Sequence, residues 1–172
     1  MSPCAQSLSC FPYALTLTRI GASASVHADM ETIKHDIERN KALIRKYGYE
    51  HYNNWDESLT ETLIHPDVTA DFPGGFPPGG IESYRRWYRD FRTAFPDCRF
   101  EIQHMLAEGD LVAVRWVYTA THRGPLMGIP ATGRPIRATY TSIYRIEDGK
   151  IRAIYADTDS HDLLRQIGAL DA

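Results

Sequence analysis

The spacing of apolar residues changes character partway along the chain and divides it into a helical first half and a β second half. Ile33, Ile37, Leu43, Ile44, Tyr47, Tyr52 and Trp55 recur at near-helical intervals, with Lys, Glu, Arg and Asp between them. That pattern predicts an amphipathic helix over 31–54, broken near Gly48. Ser58-Leu-Thr-Glu61 reads as a capping box that starts a short second helix, ending before Pro66. A short strand is predicted over 68–72, and the Pro- and Gly-dense stretch 73–80 is a loop. Tyr84, Trp87, Tyr88, Phe91 and Phe95 mark one face of a third helix, which Pro96 terminates.

From Arg99 onward the period falls to two. Residues 99–107 alternate, Glu108-Gly-Asp110 turns the chain, and 111–122 is rich in Val, Trp, Tyr and Thr, so the pair reads as a long antiparallel hairpin. A loop over 123–133 leads to a second hairpin, 136–146 and 151–157, around Glu147-Asp-Gly-Lys150. Ser160 can cap a last short helix through Leu164 to Ile167, ended by Gly168. Helices first and strands last predict an α+β fold, with helices packed on one face of a curved antiparallel sheet. A curled sheet under a long helix leaves a conical cavity, the kind of place where small molecules bind.

Composition narrows the picture. With 172 residues the chain suits one domain, over 30–172. An aromatic fraction of 11%, with ten tyrosines, is enough to line a pocket as well as fill a core. Net charge is −3 with acids and bases interspersed, so the basic footprint of a nucleic-acid partner is missing. No apolar run approaches the roughly 20 residues of a membrane span. Cys4, Cys10 and Cys98 are odd in number and form no CxxC, which points to neither a disulfide framework nor a zinc site and suits a reducing, cytoplasmic setting. Residues 1–29 carry only Arg19 and Asp29 as formal charges. They meet the export pattern poorly: the apolar stretch 11–17 is short and no positive charge precedes it. An irregular extension ahead of Met30 is the expectation.

Several segments then occur in a telling order. They are Glu108-Gly-Asp-Leu-Val-Ala-Val-Arg115, Thr121-His-Arg-Gly124, Gly128-Ile-Pro-Ala-Thr-Gly-Arg134 and Ile146-Glu-Asp-Gly-Lys-Ile151, followed by Tyr155, Asp159 and Leu163-Leu-Arg-Gln-Ile-Gly168. The set resembles the SnoaL-like polyketide and ester cyclases, of the nuclear-transport-factor-like cone superfamily, over Glu31 to Gly168. The resemblance implies the cone fold and a ring closure by intramolecular aldol condensation without metal or cofactor. It also implies a homodimer through the outer face of the sheet, and an acid–base aspartate four residues after an aromatic. Here those two look like Asp159 and Tyr155, the latter standing where members commonly have Trp. Many members carry a His in the first strand where this chain has Asp71, which adds a second pocket acid. Epoxide hydrolases on this fold place an acid two residues after the aromatic, which resembles Asp157, and pair it with an arginine resembling Arg115. Val117 stands where that arrangement needs another acid, so it is incomplete.

Aldol cyclisation needs a base that takes a proton from a carbon activated by carbonyls and an acid for the attacked oxygen. One carboxyl in an apolar pocket can do both in turn, because burial disfavours its charged form. The substrate's own conjugation can hold the enolate charge. Asp159 is the first candidate; read locally, an aspartate directly before a helix is equally a cap. Asp157 is the second, or else a solvated strand-end acid. Arg115, inside an apolar strand, either faces solvent or meets a carboxylate. His122 is the histidine placed to reach the cavity mouth, or else lies on the loop-side surface. Trp87, Phe91, Tyr118 and Tyr140 are candidate cavity lining, though such spacings also serve a core. His35, His51, His65, His104 and His161 form no close metal-ligand pattern, and no P-loop, dinucleotide fingerprint or nucleophile elbow occurs. The expected function is a cofactor-free cyclase acting on a hydrophobic polyketide-like or meroterpenoid molecule. The alternatives are an epoxide hydrolase or hydroxylase using Asp157 with Arg115, and a binding cone without turnover.

Overall fold

The structure is a computed structural model that describes residues 24–72 and 79–170. The first helix, α1, runs over Ala24–Lys46 and continues as a π-helical segment, Tyr47–Tyr52. A 3-10 turn, Glu57–Leu59, leads into the one-turn helix α2, Thr60–Leu63, and strand β1, Ile64–Asp71. Helix α3, Gly80–Ala94, follows, then the strands β2, Arg99–Glu108, β3, Leu111–Thr121, β4, Pro135–Glu147, and β5, Lys150–Thr158, and the closing helix α4, Ser160–Ile167. The chain is therefore α+β, with one curved sheet in the order β1-β5-β4-β3-β2. Strands β2 to β5 pair antiparallel, and β1 adds a parallel edge beside β5.

Two differences from the sequence-based expectation have local causes. Helix α1 starts at Ala24, so residues 24–29 are helical rather than an irregular extension. Val26, Met30 and Ile33 are exposed there, so local propensity rather than packing carries these first turns. The rest of the expected extension, 1–23, lies outside the described residues, as does 73–78 of the Pro- and Gly-rich loop. The capping box is also displaced. Asp56, not Ser58, caps the 3-10 turn, its side chain accepting from the Ser58 amide.

Strand parity decides what the sheet encloses. Directly paired residues share a face, and faces alternate along each strand. The buried Val112, Val114, Trp116, Tyr118 and Ala120 of β3 therefore form the inner layer with Tyr140, Ser142 and Tyr144 of β4 and Ile154, Ala156 and Thr158 of β5. Helix α3 turns Tyr84, Tyr88 and the partly buried Trp87 and Phe91 toward that layer. Where the α1 axis meets the sheet, only glycine fits. A Cβ on Gly48 would lie 2.3 Å from Cη2 of Trp116.

Candidate active site

A cavity of about 270 Å³ opens between α3, the inner sheet face and α4. Its helical wall is an aromatic ladder. The Phe72 and Trp87 rings stack at 4.3 Å and 2°, and Trp87 stacks on Phe91 at 5.3 Å and 14°. The facing wall is Phe100, Tyr118 and Tyr140, and the loop after β3 adds Pro125, Leu126 and Met127. That loop is pinned to the end of α3, since the Arg123 amide donates to the Ala94 carbonyl at 2.9 Å. A Cβ on Gly124 would lie 2.2 Å from the Thr93 carbonyl oxygen, so glycine permits the close approach. Aromatic rings on both sides make the cavity apolar and suit an aromatic ligand.

The carboxylates lie around the opening. Asp90 is exposed and borders the cavity, one helical turn after Trp87 on α3. The sequence reading passed over it. The available signal was its place one turn after Trp87, at the edge of the aromatic stripe. Asp157 also borders the cavity, but its β5 position pairs with Thr141, which pairs with Arg115, a column on the outer face.

Of the other candidates, Trp87, Phe91, Tyr118 and Tyr140 stand on the cavity wall. Four others do not. Asp159 is the N-cap of α4, where its side chain accepts from the Asp162 amide at 2.9 Å, a bond that turns the carboxylate back onto its own helix. Its neighbour Ser160 lines the cavity instead. Arg115 falls on the exposed outer face because the inner position beside it is Trp116, and its Nε donates to Gln103 at 2.8 Å. Asp71 is exposed beside Tyr155 on that same outer face, since the inward position of β1 is Ala70. His122 is fully buried rather than at the mouth. Its backbone extends the β3–β4 ladder to Arg134 and Gly133, its Nδ1 lies 3.0 Å from the Thr132 hydroxyl, and its ring packs on Phe95 at 5.7 Å. Burial pushes its pKa below the ordinary 6.5.

Beneath the aromatic walls the polar groups are neutral. The Trp116 indole donates to the Ser142 and Tyr144 hydroxyls, both at 3.1 Å. Tyr47 and Tyr144 line the cavity, and burial pushes both phenols above their ordinary pKa. Tyr47 also meets the Tyr52 hydroxyl at 3.4 Å, which in turn meets that of Tyr84 at 3.3 Å. Among the described residues no three His, Cys, Asp or Glu side chains gather as a metal site, and no helix is long and apolar enough to cross a membrane.

Comparison with known proteins fits this geometry. The model of the SnoaL-like polyketide cyclases matches residues 42–167. TsrD from Streptomyces laurentii is similar in structure, at 28% identity and a TM-score of 0.70, covering 77% of this chain and 97% of its own. AclR, a putative hydroxylase from Streptomyces galilaeus, matches at 27% identity and a TM-score of 0.69, over 78% of this chain and 99% of its own. IdmH, a putative polyketide cyclase from Streptomyces antibioticus, is 30% identical with a TM-score of 0.65, over 75% of this chain and 98% of its own. No curated protein matches. The family and its structural relatives support an enzyme with a cyclase-type role on polyketide-like substrates. With the curved sheet, the aromatic cavity and a match over most of the folded chain, this protein belongs to the SnoaL-like polyketide cyclase family.

Proposed function

We propose that the chain closes a ring in a planar, hydrophobic, carbonyl-bearing molecule of polyketide type, with Asp90 exchanging the proton. The supporting observation is that Asp90, exposed at the opening, borders the same cavity as Trp87 and Phe91. A conjugated ring system held among these aromatic rings would present its edge to that carboxylate. The carboxylate takes a proton from a carbon between carbonyls, the carbon attacks a second carbonyl, and the acid so formed protonates the resulting alkoxide. The proton removed from carbon ends on oxygen, so the aldol product has the mass of its precursor. Conjugation through the bound rings holds the enolate charge between the two steps.

A second reading keeps the acid–base group at Asp159, one residue from the cavity-lining Ser160. It requires the cap carboxylate to leave the Asp162 amide when substrate binds. The same proposal carries a homodimer through the outer sheet face, where Ile143 and Tyr155 are exposed as a paired couple, 42% and 44%. The test of function is incubation with a panel of aromatic polyketides and meroterpenoids, read by chromatography with mass detection. A new product of unchanged mass, lost with Asp90→Asn, is the expected result. Product formation that survives Asp90→Asn and fails with Asp159→Asn moves the chemistry to the cap.

A further inference from the structure

One end of the cavity continues into the protein as a chain of hydrogen-bonding groups that ends on a buried histidine. Tyr47, which lines the cavity, meets Tyr52 at 3.4 Å between hydroxyls, and Tyr52 meets Tyr84 at 3.3 Å. The Tyr84 hydroxyl lies 3.1 Å from Nε2 of His51, and His51 Nδ1 lies 2.7 Å from the Asp56 carbonyl oxygen. The imidazole is fully buried, and the Tyr88 ring stacks on it at 4.3 Å and 9° while its hydroxyl donates to the His51 carbonyl.

The backbone carbonyl sets the direction of every proton in this chain. A carbonyl oxygen only accepts, so Nδ1 carries a proton, and in the neutral ring Nε2 is then bare. Tyr84 therefore donates to Nε2, Tyr52 to Tyr84 and Tyr47 to Tyr52. Each hydroxyl has one proton to give, so the Tyr47 oxygen is left as an acceptor. If His51 is an imidazolium, every bond reverses and Tyr47 becomes a donor. The local helix geometry builds this arrangement. Tyr47 and Tyr52 are five apart, and i→i+5 bonding, as in Asn53 N to Gly48 O at 3.1 Å, brings both to the interior with His51. Such π-helical turns are frequent at functional sites.

We propose that His51 is the proton store of the cavity, taking the proton of a bound enol or phenol through Tyr47, Tyr52 and Tyr84 and returning it later in the cycle. The inference rests on the cavity being the binding site for the flat, carbonyl-bearing molecules proposed above. In the forward step the ligand's O–H bond breaks and its proton passes to Tyr47. Tyr47, Tyr52 and Tyr84 each pass on their own proton, and an N–H bond forms at Nε2. The products are a ligand oxyanion, an imidazolium and three neutral tyrosines, with nothing oxidised or reduced. The reverse transfer returns the proton to the same ligand oxygen after ring closure, while Asp90 protonates the new alkoxide.

The surroundings fit a temporary charge. Burial pushes the phenols of all three tyrosines up, so none rests as a tyrosinate. Burial likewise disfavours the imidazolium, while the Asp56 carbonyl and the Asp56 and Glu57 carboxylates favour it. The proton is thus held on His51 only while an anion in the cavity balances it.

Alizarin, a planar hydroxyanthraquinone whose colour reports its ionisation, tests the proposal with the intact chain labelled with 15N-histidine. Bound to wild type, the dye should ionise about one pH unit below its free value, and His51 should show the matched nitrogen signals of an imidazolium. Tyr84→Phe and Tyr52→Phe, which keep the rings, should bind the neutral dye with similar affinity and lose the shift. An equal shift in wild type and both variants, or a His51 that stays neutral beside the bound anion in wild type, overturns the relay and leaves the cavity assignment standing. Failure of wild type to bind the dye overturns both.

Discussion

The two faces of β3 and β4 carry opposite chemistry within a few ångströms of each other. Inside, Trp116, Tyr118, Tyr140, Ser142 and Tyr144 are neutral, and the indole N–H is shared between two hydroxyls. Outside, Arg115, Thr141 and Arg145 are exposed, and Arg145 pairs with Asp110 at 3.5 Å in reach of water. The difference follows from cost. An unpaired charge on the inner layer would lose its hydration with nothing to replace it, whereas the outer face keeps its water. The interior is accordingly lined with neutral groups, and the carboxylates, Asp90 and Asp157, stand at the rim.

The sharpest way to break that contrast is at the rim. Asp90→Asn should lower turnover about 10²–10⁴-fold in the product assay, the usual cost of losing a general acid–base group. Next comes the pair Trp116→Ala and Arg115→Ala, neighbours on opposite faces. The first should cost about 3–5 kcal/mol in urea unfolding, because it opens a cavity and strands two hydroxyls. The second should stay within about 0.5 kcal/mol. Equal losses would mean that the faces do not differ as described.

The outer face is tested by Ile143→Arg. If it pairs two copies, an arginine there must be desolvated, and light scattering should show the dimer weakened at least about tenfold. A strict monomer for wild type ends that proposal. The interior histidines give a smaller, pH-dependent effect. Burial lowers the folded-state pKa of His51 and of His122 below 6.5. The unfolded chain therefore binds protons that the fold refuses, so stability is full above that value and falls as pH drops beneath it. The urea midpoint should decline between about pH 7.5 and about pH 5.5, with a flatter slope in His51→Gln. Smallest is the cap. Asp159→Ala should cost about 1 kcal/mol and Asp159→Asn almost nothing, read as thermal midpoints.

These expectations show where the sequence was legible. The aromatic stripe Tyr84, Trp87, Tyr88 and Phe91, the alternation of 99–107 and the Val, Trp, Tyr and Thr content of 111–122 marked helix and strands from local pattern. They are long, and their apolar residues have one face to choose. Site residues were harder to read. Arg115, Asp157 and Asp71 were selected for their chemistry, and each occupies an outward position in the strand pairing. In β3 the parity was readable, since Val114, Trp116 and Tyr118 claim the inner face and leave Arg115 outside. Asp90 was passed over because a charged residue beside arginine-flanked aromatics reads as a solvated helix face. It is exposed, and what the sequence did not show is that it also borders the cavity.

What the sequence determined by itself is the kind and order of elements, because periodicity, capping and turn chemistry act over a few residues. It also carried the family, through motifs strung along the second half of the chain. Only the tertiary structure decided that His122 is sealed behind Phe95, and that Tyr47, Tyr52, Tyr84 and His51 join into one line. Those contacts link positions up to 33 residues apart, gathered at a π-helical turn. No local pattern encodes them, since each depends on where a second element places its side chains.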